Sequence, residues 1–333
     1  MNYIGSKHKL SSFLVKTIQQ VVGKLEHKVF VDLFAGTGRV GRVLKPQVKQ
    51  VIANDLEYYS YVLNRHYIGN TQRVDGEAYL EELNGLADKE GFIYQNYCAG
   101  SGSGRMYFSD ENGKKLDAMR QEIAHWRQSK KLDDATYFYL LTCLLEAADK
   151  VANTASVYGA FLKQLKATAQ QTLKVVPMAT EEVPHQYNEV YQQDANTLIE
   201  QIEGDILYLD PPYNARQYGA NYHLLNTIAL YDHFLPSGKT GLRPNYQKSQ
   251  YCKKREVKAT FEHLIAQAQF PYIFLSYNNE GLMTLKEIQA ILQKYGKYTR
   301  VEKTYQRFKA DIDENRTFSS TDTLEYLHIL EKR

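Results

Sequence analysis

The sequence predicts an α/β protein whose open, mainly parallel sheet is interrupted by a helical insertion. Three observations carry that expectation. A buried strand runs directly into a glycine turn and a helix. A second short apolar strand follows it and ends on an acid. After a long helical stretch, strands resume, and one of them ends in Asp210-Pro211-Pro212-Tyr213. Strand, glycine turn, helix, strand is the opening of a parallel sheet covered by helices.

Leu10, Phe13, Leu14, Ile18, Val21 and Val22 recur at helical spacing, which predicts an amphipathic helix over 10–22. Val29-Phe30-Val31-Asp32-Leu33-Phe34 reads as a buried strand, Ala35-Gly36-Thr37-Gly38 as its turn and Arg39 to Leu44 as the next helix. Val51-Ile52-Ala53 forms the second strand and stops at Asn54-Asp55. From 56 to 186 the chain is mostly helical and polar, with helices expected at 115–127, 134–150 and 157–173 and a flexible glycine-serine stretch at 100–104. The sheet resumes at Val190 to Asp194 and at Asp205 to Asp210. Further strands are expected at 272–276, 299–304 and 324–330, the last two as an antiparallel pair.

Composition bounds the class without naming it. The 333 residues are 43% hydrophobic and 24% charged, ordinary for a globular protein with a core of its own. No apolar run reaches the roughly 20 residues a bilayer requires, and the first residues lack a signal-peptide pattern. The cysteines, Cys98, Cys143 and Cys252, are scattered and odd in number. They suit neither a disulfide framework nor a zinc site, and a cytoplasmic setting is expected. A net charge of +3 does not itself point to nucleic acid, and most of the 27 tyrosines are expected to pack in the core and at its rim.

The chemistry concentrates in three places. Gly36 and Gly38, after a buried strand and before a helix N-terminus, let a backbone approach an anionic group. Gly41 stands where the dinucleotide fingerprint has its third glycine, so on this motif alone a dehydrogenase of the Rossmann type stays in play. Asp55, at the end of the next strand, is placed to accept from the hydroxyls of a ribose, its bland alternative being a solvated strand-end carboxylate. Asp210-Pro211-Pro212-Tyr213 decides between readings. Two prolines cannot continue a ladder and fix the backbone, so a carboxylate and a tyrosine are held at the carboxyl end of the sheet. A planar aromatic amine matches that cleft: its N–H groups donate to Asp210 and to the Pro211 carbonyl while Tyr213 stacks on the ring.

In this combination the sequence resembles the Dam-like, or D12 class, DNA adenine-N6 methyltransferases. Asp210-Pro211-Pro212-Tyr213 is similar to the DPPY signature of amino-methyltransferases and Asp32 to Gly38 to their cofactor loop. Asn2-Tyr3-Ile4-Gly5-Ser6-Lys7 resembles the family's N-terminal motif. Asn153 to Gly159 and Ser276 to Gly281 extend the likeness over nearly the whole chain. The resemblance implies a Rossmann-like S-adenosylmethionine-dependent methyltransferase sheet, with 1–55 and 187–333 as catalytic domain and 56–186 as a helical target-recognition insert. It implies S-adenosylmethionine as cofactor, held by Tyr3, Lys7 (near the carboxylate), Asp32, Phe34, Gly36, Gly38, Asp55 and Asp194 (at the adenine). Asp194 also reads as the N-cap of a helix from Ala195 to Ile202. Asp210, Pro211, Pro212 and Tyr213 would act on an adenine flipped out of double-stranded DNA.

For DNA contact, the stretch Lys239 to Lys258 gathers Lys239, Arg243, Lys248, Lys253, Lys254, Arg255 and Lys258 around one acid, Glu256, with Tyr246 and Tyr251 interleaved. A solvated surface loop is its plain alternative. Arg216, Tyr218, Asn221 and Tyr222 are candidates for the flipped-base pocket, and Arg105, Arg120, Arg127, Lys130 and Lys131 for contacts from the insert. A monomer is expected, with a cognate restriction endonuclease as a candidate partner. The alternatives are a ribosomal RNA methyltransferase, a cytosine-N4 enzyme, which more often has serine at position 210, and a non-catalytic nucleic-acid-binding module on the same fold.

Overall fold

The computed structural model describes residues 10–306 and 322–333. Along the chain, α1 (Ser11–Val22), β1 (Val29–Asp32), α2 (Arg39–Leu44), β2 (Gln50–Asn54), α3 (Tyr58–Asn64), α4 (Glu77–Gly85), α5 (Phe92–Tyr97), α6 (Asp110–Gln128) and α7 (Asp134–Val151) lead to β3 (Glu189–Tyr191). There follow α8 (Ala195–Leu198), β4 (Ile206–Leu209), α9 (Tyr218–Asn221), α10 (His223–Leu230), α11 (Val257–Gln267), β5 (Tyr272–Asn278), α12 (Leu285–Gln293), β6 (Gly296–Gln306) and β7 (Asp322–Lys332). They form two compact units. A sheet unit comprises 10–56, 183–217 and 248 onward, and a helical unit comprises 57–182 and 218–247.

In the sheet unit the seven strands run in the order β3-β2-β1-β4-β5-β7-β6. The first five are parallel, and β7 lies antiparallel between β5 and β6. Strand order reverses between β1 and β4, which opens the switch-point crevice where α/β sheets take their ligands. Both faces are covered, so the strands are apolar throughout rather than alternating. Val31, Leu207, Leu209, Ile273 and Leu275 pack with α8, α11 and α12, in a cluster that includes Leu198, Phe261, Leu264 and Ile291. Phe30 and Tyr208 stack on the opposite face, their ring centroids 6.4 Å apart. α12 starts on a capping box: Thr284 accepts from the Glu287 backbone and Glu287 from the Thr284 backbone.

In the helical unit α6 and α7 are the long elements, capped by Ser109 and Asp133, whose side chains accept from Asn112 N and Thr136 N. Their apolar faces (Leu116, Met119, Ile123, Leu141, Leu144 and Leu145) share one core with Tyr59, Leu63, Leu224 and Ile228. That sharing draws α10 into this unit: seven of its eight residues are buried. Arg120 on α6 fastens it, donating to the carbonyls of Ile228 (3.0 Å), Ala229 (3.0 Å) and Leu230 (3.3 Å) at the helix end. One turn earlier, Asp117 accepts from the N–H groups of Gly91, Ile93 and Tyr94 at the start of α5 and from the Tyr231 hydroxyl.

Two expectations need correcting here. The helix expected at 157–173 does not form; only Ala167–Gln170 is helical, as a short 3₁₀ turn. Ser156 sits at φ 85°, which breaks the helical path. The Asn153 side chain then takes up the segment's backbone, donating to Leu162 O and accepting from Lys166 N. Arg120 is buried and spent on α10, so it is a structural cation rather than a base contact. Arg105 is likewise committed, to the carbonyls of Asn96 and Gly238, and Arg127 is ion-paired with Asp134.

Candidate active site

The carboxyl ends of β1, β2 and β4 carry the three acids that the sequence singles out. Asp32 closes β1, in register with Ala53 on one side and Tyr208 on the other. Asp55 lies two residues beyond Ala53 and Asp210 two beyond Tyr208. The parallel register therefore brings all three to one rim of the sheet.

The glycine turn is built as the motif requires. Gly36 and Gly38 take φ of 53° and 74°, a region costly for any residue with a Cβ. Gly36 N donates to the Asp55 carboxylate at 2.8 Å, which joins the turn to the second strand. Asn54, which sequence reasoning passed over as the neighbour of Asp55, is the fastener of the whole rim. Fully buried, it donates through Nδ2 to Leu33 O and Gln193 O, both at 3.1 Å, and accepts Gln193 N at 3.0 Å. The loops after β1, β2 and β3 are thus tied through one amide. The available signal was an amide directly preceding the acid of a strand end.

Asp32 is 1% exposed, and its Oδ1 has no hydrogen-bond partner among the described residues. Burial raises its pKa from 3.8 to about 8, helped by the charges of Asp210 and Asp55 and opposed by a hydrogen bond from the Gly41 backbone. A crowded set of carboxylates with one held neutral is a site suited to a cation. Asp194 caps α8, accepting from Asn196 N (2.9 Å) and Thr197 N (3.2 Å), as the sequence predicts. The cap leaves its exposed carboxylate at the mouth of the third loop. Phe34 is half-buried and meets Tyr251 edge to face at 5.0 Å.

After β4, Pro211 is buried and Pro212 and Tyr213 are partly so. Tyr213 is fixed at both ends: its carbonyl accepts Leu282 N at 2.9 Å and its ring meets Tyr277 edge to face at 6.3 Å. Tyr277 in turn accepts Met283 N through its hydroxyl.

The remaining candidates divide. Arg216, Lys248, Lys254 and Arg255 are exposed in the sheet unit, and Lys253 pairs with Glu256 at 3.2 Å. Tyr218, Asn221 and Tyr222 belong to the helical unit. There Asn221 O accepts Tyr158 N, and Tyr218 stacks on Tyr222. Tyr222 is fully buried in the helical core, so its ring is a packing element and is not offered to a base. Tyr251, interleaved among the cations of the basic stretch, is buried too. Arg243 is held by Asp232 through two hydrogen bonds of 2.6 Å. Tyr3 and Lys7 lie outside the described residues.

A family model for D12 class N6 adenine-specific DNA methyltransferases matches residues 3–291. The chain belongs to that family. The methyltransferase is 61% identical to the type II methyltransferase M.NlaIII of Neisseria lactamica, over 100% of this chain and 99% of that one. It is 40% identical to M.FokI of Planomicrobium okeanokoites over 93% of its own length and 48% of the relative's, and 36% identical to M.CviAII of Paramecium bursaria Chlorella virus 1 over 94% of each. The methyltransferase acts on adenine N6 in DNA, with S-adenosylmethionine as methyl donor, and the alternatives of an RNA, cytosine-N4, dehydrogenase or non-catalytic protein fall away. The buried Asp32 carboxyl, whose Oδ1 has no hydrogen-bond partner among the described residues, fits a cofactor that carries positive charge. No helix among the described residues is long and apolar enough to cross a membrane.

Proposed function

We propose that Asp210 and the Pro211 carbonyl accept the two N6 hydrogens of a target adenine and that Tyr213 stacks on its ring. The adenine lone pair is delocalised into the ring, so N6 is a weak nucleophile. Acceptors on both hydrogens favour a tetrahedral nitrogen and return electron density to it. When bound, S-adenosylmethionine supplies a methyl already activated by the positive sulfonium. What remains for the chain is orientation and electrostatics, effects worth several kcal/mol in a dry, preorganised cleft, on the order of a factor of 10² or more in rate. Asp55 would hold the ribose, Asp194 and Phe34 the cofactor adenine, and Gly36 and Gly38 the close backbone approach, with Asp32 facing the cationic end.

In duplex DNA the target base is stacked, so it enters this cleft by flipping. Arg216, Lys248, Lys254 and Arg255 are the phosphate contacts this reading uses, and the helical unit carries sequence recognition. We assign the enzyme to a restriction-modification setting in the cytoplasm, as a monomer working beside a cognate endonuclease; the similarity to type II methyltransferases supports the restriction-modification setting.

One observation carries the catalytic assignment: the Asp-Pro-Pro-Tyr tetrapeptide follows β4 at the rim where the Asp210 charge is felt by Asp32. The test is transfer from labelled S-adenosylmethionine to unmethylated genomic DNA, with RNA alongside and the modified nucleoside identified by mass spectrometry. N6-methyladenine in DNA is expected, and Asp210→Ala is expected to lower its formation by about 10²-fold or more. Activity in that variant within a few-fold of the wild type would sink the assignment.

A further inference from the structure

Residues 249–252 connect two places that the mechanism treats separately. On one side is Tyr251, 2% exposed. Its ring meets Phe34 of the glycine loop edge to face at 5.0 Å, and its hydroxyl donates to Asn196 Oδ1 at 2.8 Å. Asn196 cannot give way easily. Its Nδ2 donates to Thr260 O at 2.8 Å and its backbone N–H to the Asp194 cap. Tyr251 thus links the loop after β1 to the first turn of α8, whose cap is Asp194, the two walls assigned to the cofactor's nucleoside.

On the other side is the loop that follows the catalytic tetrapeptide. Ser249 N donates to Gln217 Oε1 at 2.8 Å, and Gln217 Nε2 donates back to Ser249 O at 3.2 Å. Cys252 Sγ lies 3.4 Å from Arg216 O as a weak donor. Directly after it come Lys253, Lys254 and Arg255. The short 3₁₀ turn Gln250–Cys252 is therefore bolted to the nucleoside walls through Tyr251, to Arg216 and Gln217 through Ser249 and Cys252, and in sequence to the basic segment.

We infer that Tyr251 is a positioning residue, and that through it and the Gln217–Ser249 pair the cofactor pocket sets the placement of the loops that hold DNA. Occupying the gap between Phe34 and Asp194 fixes Tyr251. A fixed Tyr251 fixes the turn, and the turn fixes Arg216 and the basic segment. Cofactor and DNA therefore bind with positive coupling, and by linkage each tightens the other equally. The inference rests on the assignment of Phe34 and Asp194 to the cofactor, and the experiment separates the two.

Affinity for S-adenosylhomocysteine is measured by calorimetry on the full chain, and affinity for a duplex with and without that compound by fluorescence anisotropy. Tyr251→Phe keeps the ring and removes only the bond to Asn196, so its fold is retained. We expect it to weaken S-adenosylhomocysteine about three- to tenfold. In the wild type the compound tightens DNA binding by about fivefold or more, the lower end of ordinary allosteric coupling. In Gln217→Leu that ratio falls toward one, while S-adenosylhomocysteine binding without DNA stays near wild type. Asp55→Ala is the reference. If it weakens the compound but Tyr251→Phe does not, or if Gln217→Leu keeps the full coupling, the inference fails alone. If Asp55→Ala and Tyr251→Phe both bind as the wild type does, the pocket assignment fails with it.

Discussion

Asp32→Asn isolates the electrostatic condition of the rim. The carboxyl titrates near 3.8 when unfolded and at about 8 in the folded chain, raised first by burial and then by the Asp210 and Asp55 charges. Between those two values the folded state holds a proton that the unfolded state has released. Its contribution to stability is therefore complete below 3.8 and drains away as pH rises toward about 8, at about 1.4 kcal/mol per pH unit. The full span is on the order of 6 kcal/mol, a large fraction of what a domain has in hand. Asparagine keeps the shape, cannot ionise and loses this slope. Urea denaturation of both proteins across that pH range gives the comparison, since titrating groups not coupled to Asp32 cancel in the difference. The variant should gain on the wild type steadily as pH rises. With S-adenosylmethionine present the wild type's slope should flatten, because a cation at the rim favours the ionised acid. Parallel pH dependences in the absence of cofactor would refute the neutral, buried Asp32.

Two further outcomes follow from the packing and the basic segment. Arg120→Met strands three carbonyls at the end of α10 and should cost about 3 kcal/mol or more, read as a lowered Tm and as early protease cleavage within 218–247. Lys254→Ala with Arg255→Ala should weaken DNA binding evenly across sequences and reduce the slope of log affinity against log salt by up to about two, with S-adenosylhomocysteine binding unchanged. An unchanged salt slope would remove both side chains from the phosphate contacts.

The sheet was legible because its signals are local. Val29 to Asp32 and Ile206 to Leu209 are apolar runs ended by turn residues, and the Asp32, Asp55 and Asp210 positions follow from where those runs stop. The helical region was less so. Val157, Tyr158, Phe161 and Leu162 have helical spacing, but the positive φ of Ser156 and the amide of Asn153 hold that backbone instead, and neither is visible in periodicity. Charge misled for a related reason. Arg120 and Arg243 read as surface cations, yet one serves a helix end 108 residues on and the other a carboxylate 11 residues back. Tyr251 joins segments distant in sequence and nothing near it marks that contact, whereas Asn54 is marked only by its place directly before a strand-end acid.

The helical unit is assembled from two stretches separated by β3, α8 and β4. That arrangement bears on transplantation. A hybrid that exchanged only the stretch between β2 and β3 would bring a foreign α6 to the native α10. The guanidinium of Arg120 and the carboxylate of Glu57, which accepts Asn226 Nδ2 at 2.6 Å, would be gone while their acceptors and donors stayed behind. On the proposed assignment of sequence recognition to the helical unit, specificity is inherited as a matched pair of segments. Gene shuffling that changes it must therefore cross the chain four times, with the catalytic tetrapeptide left between the two exchanged pieces.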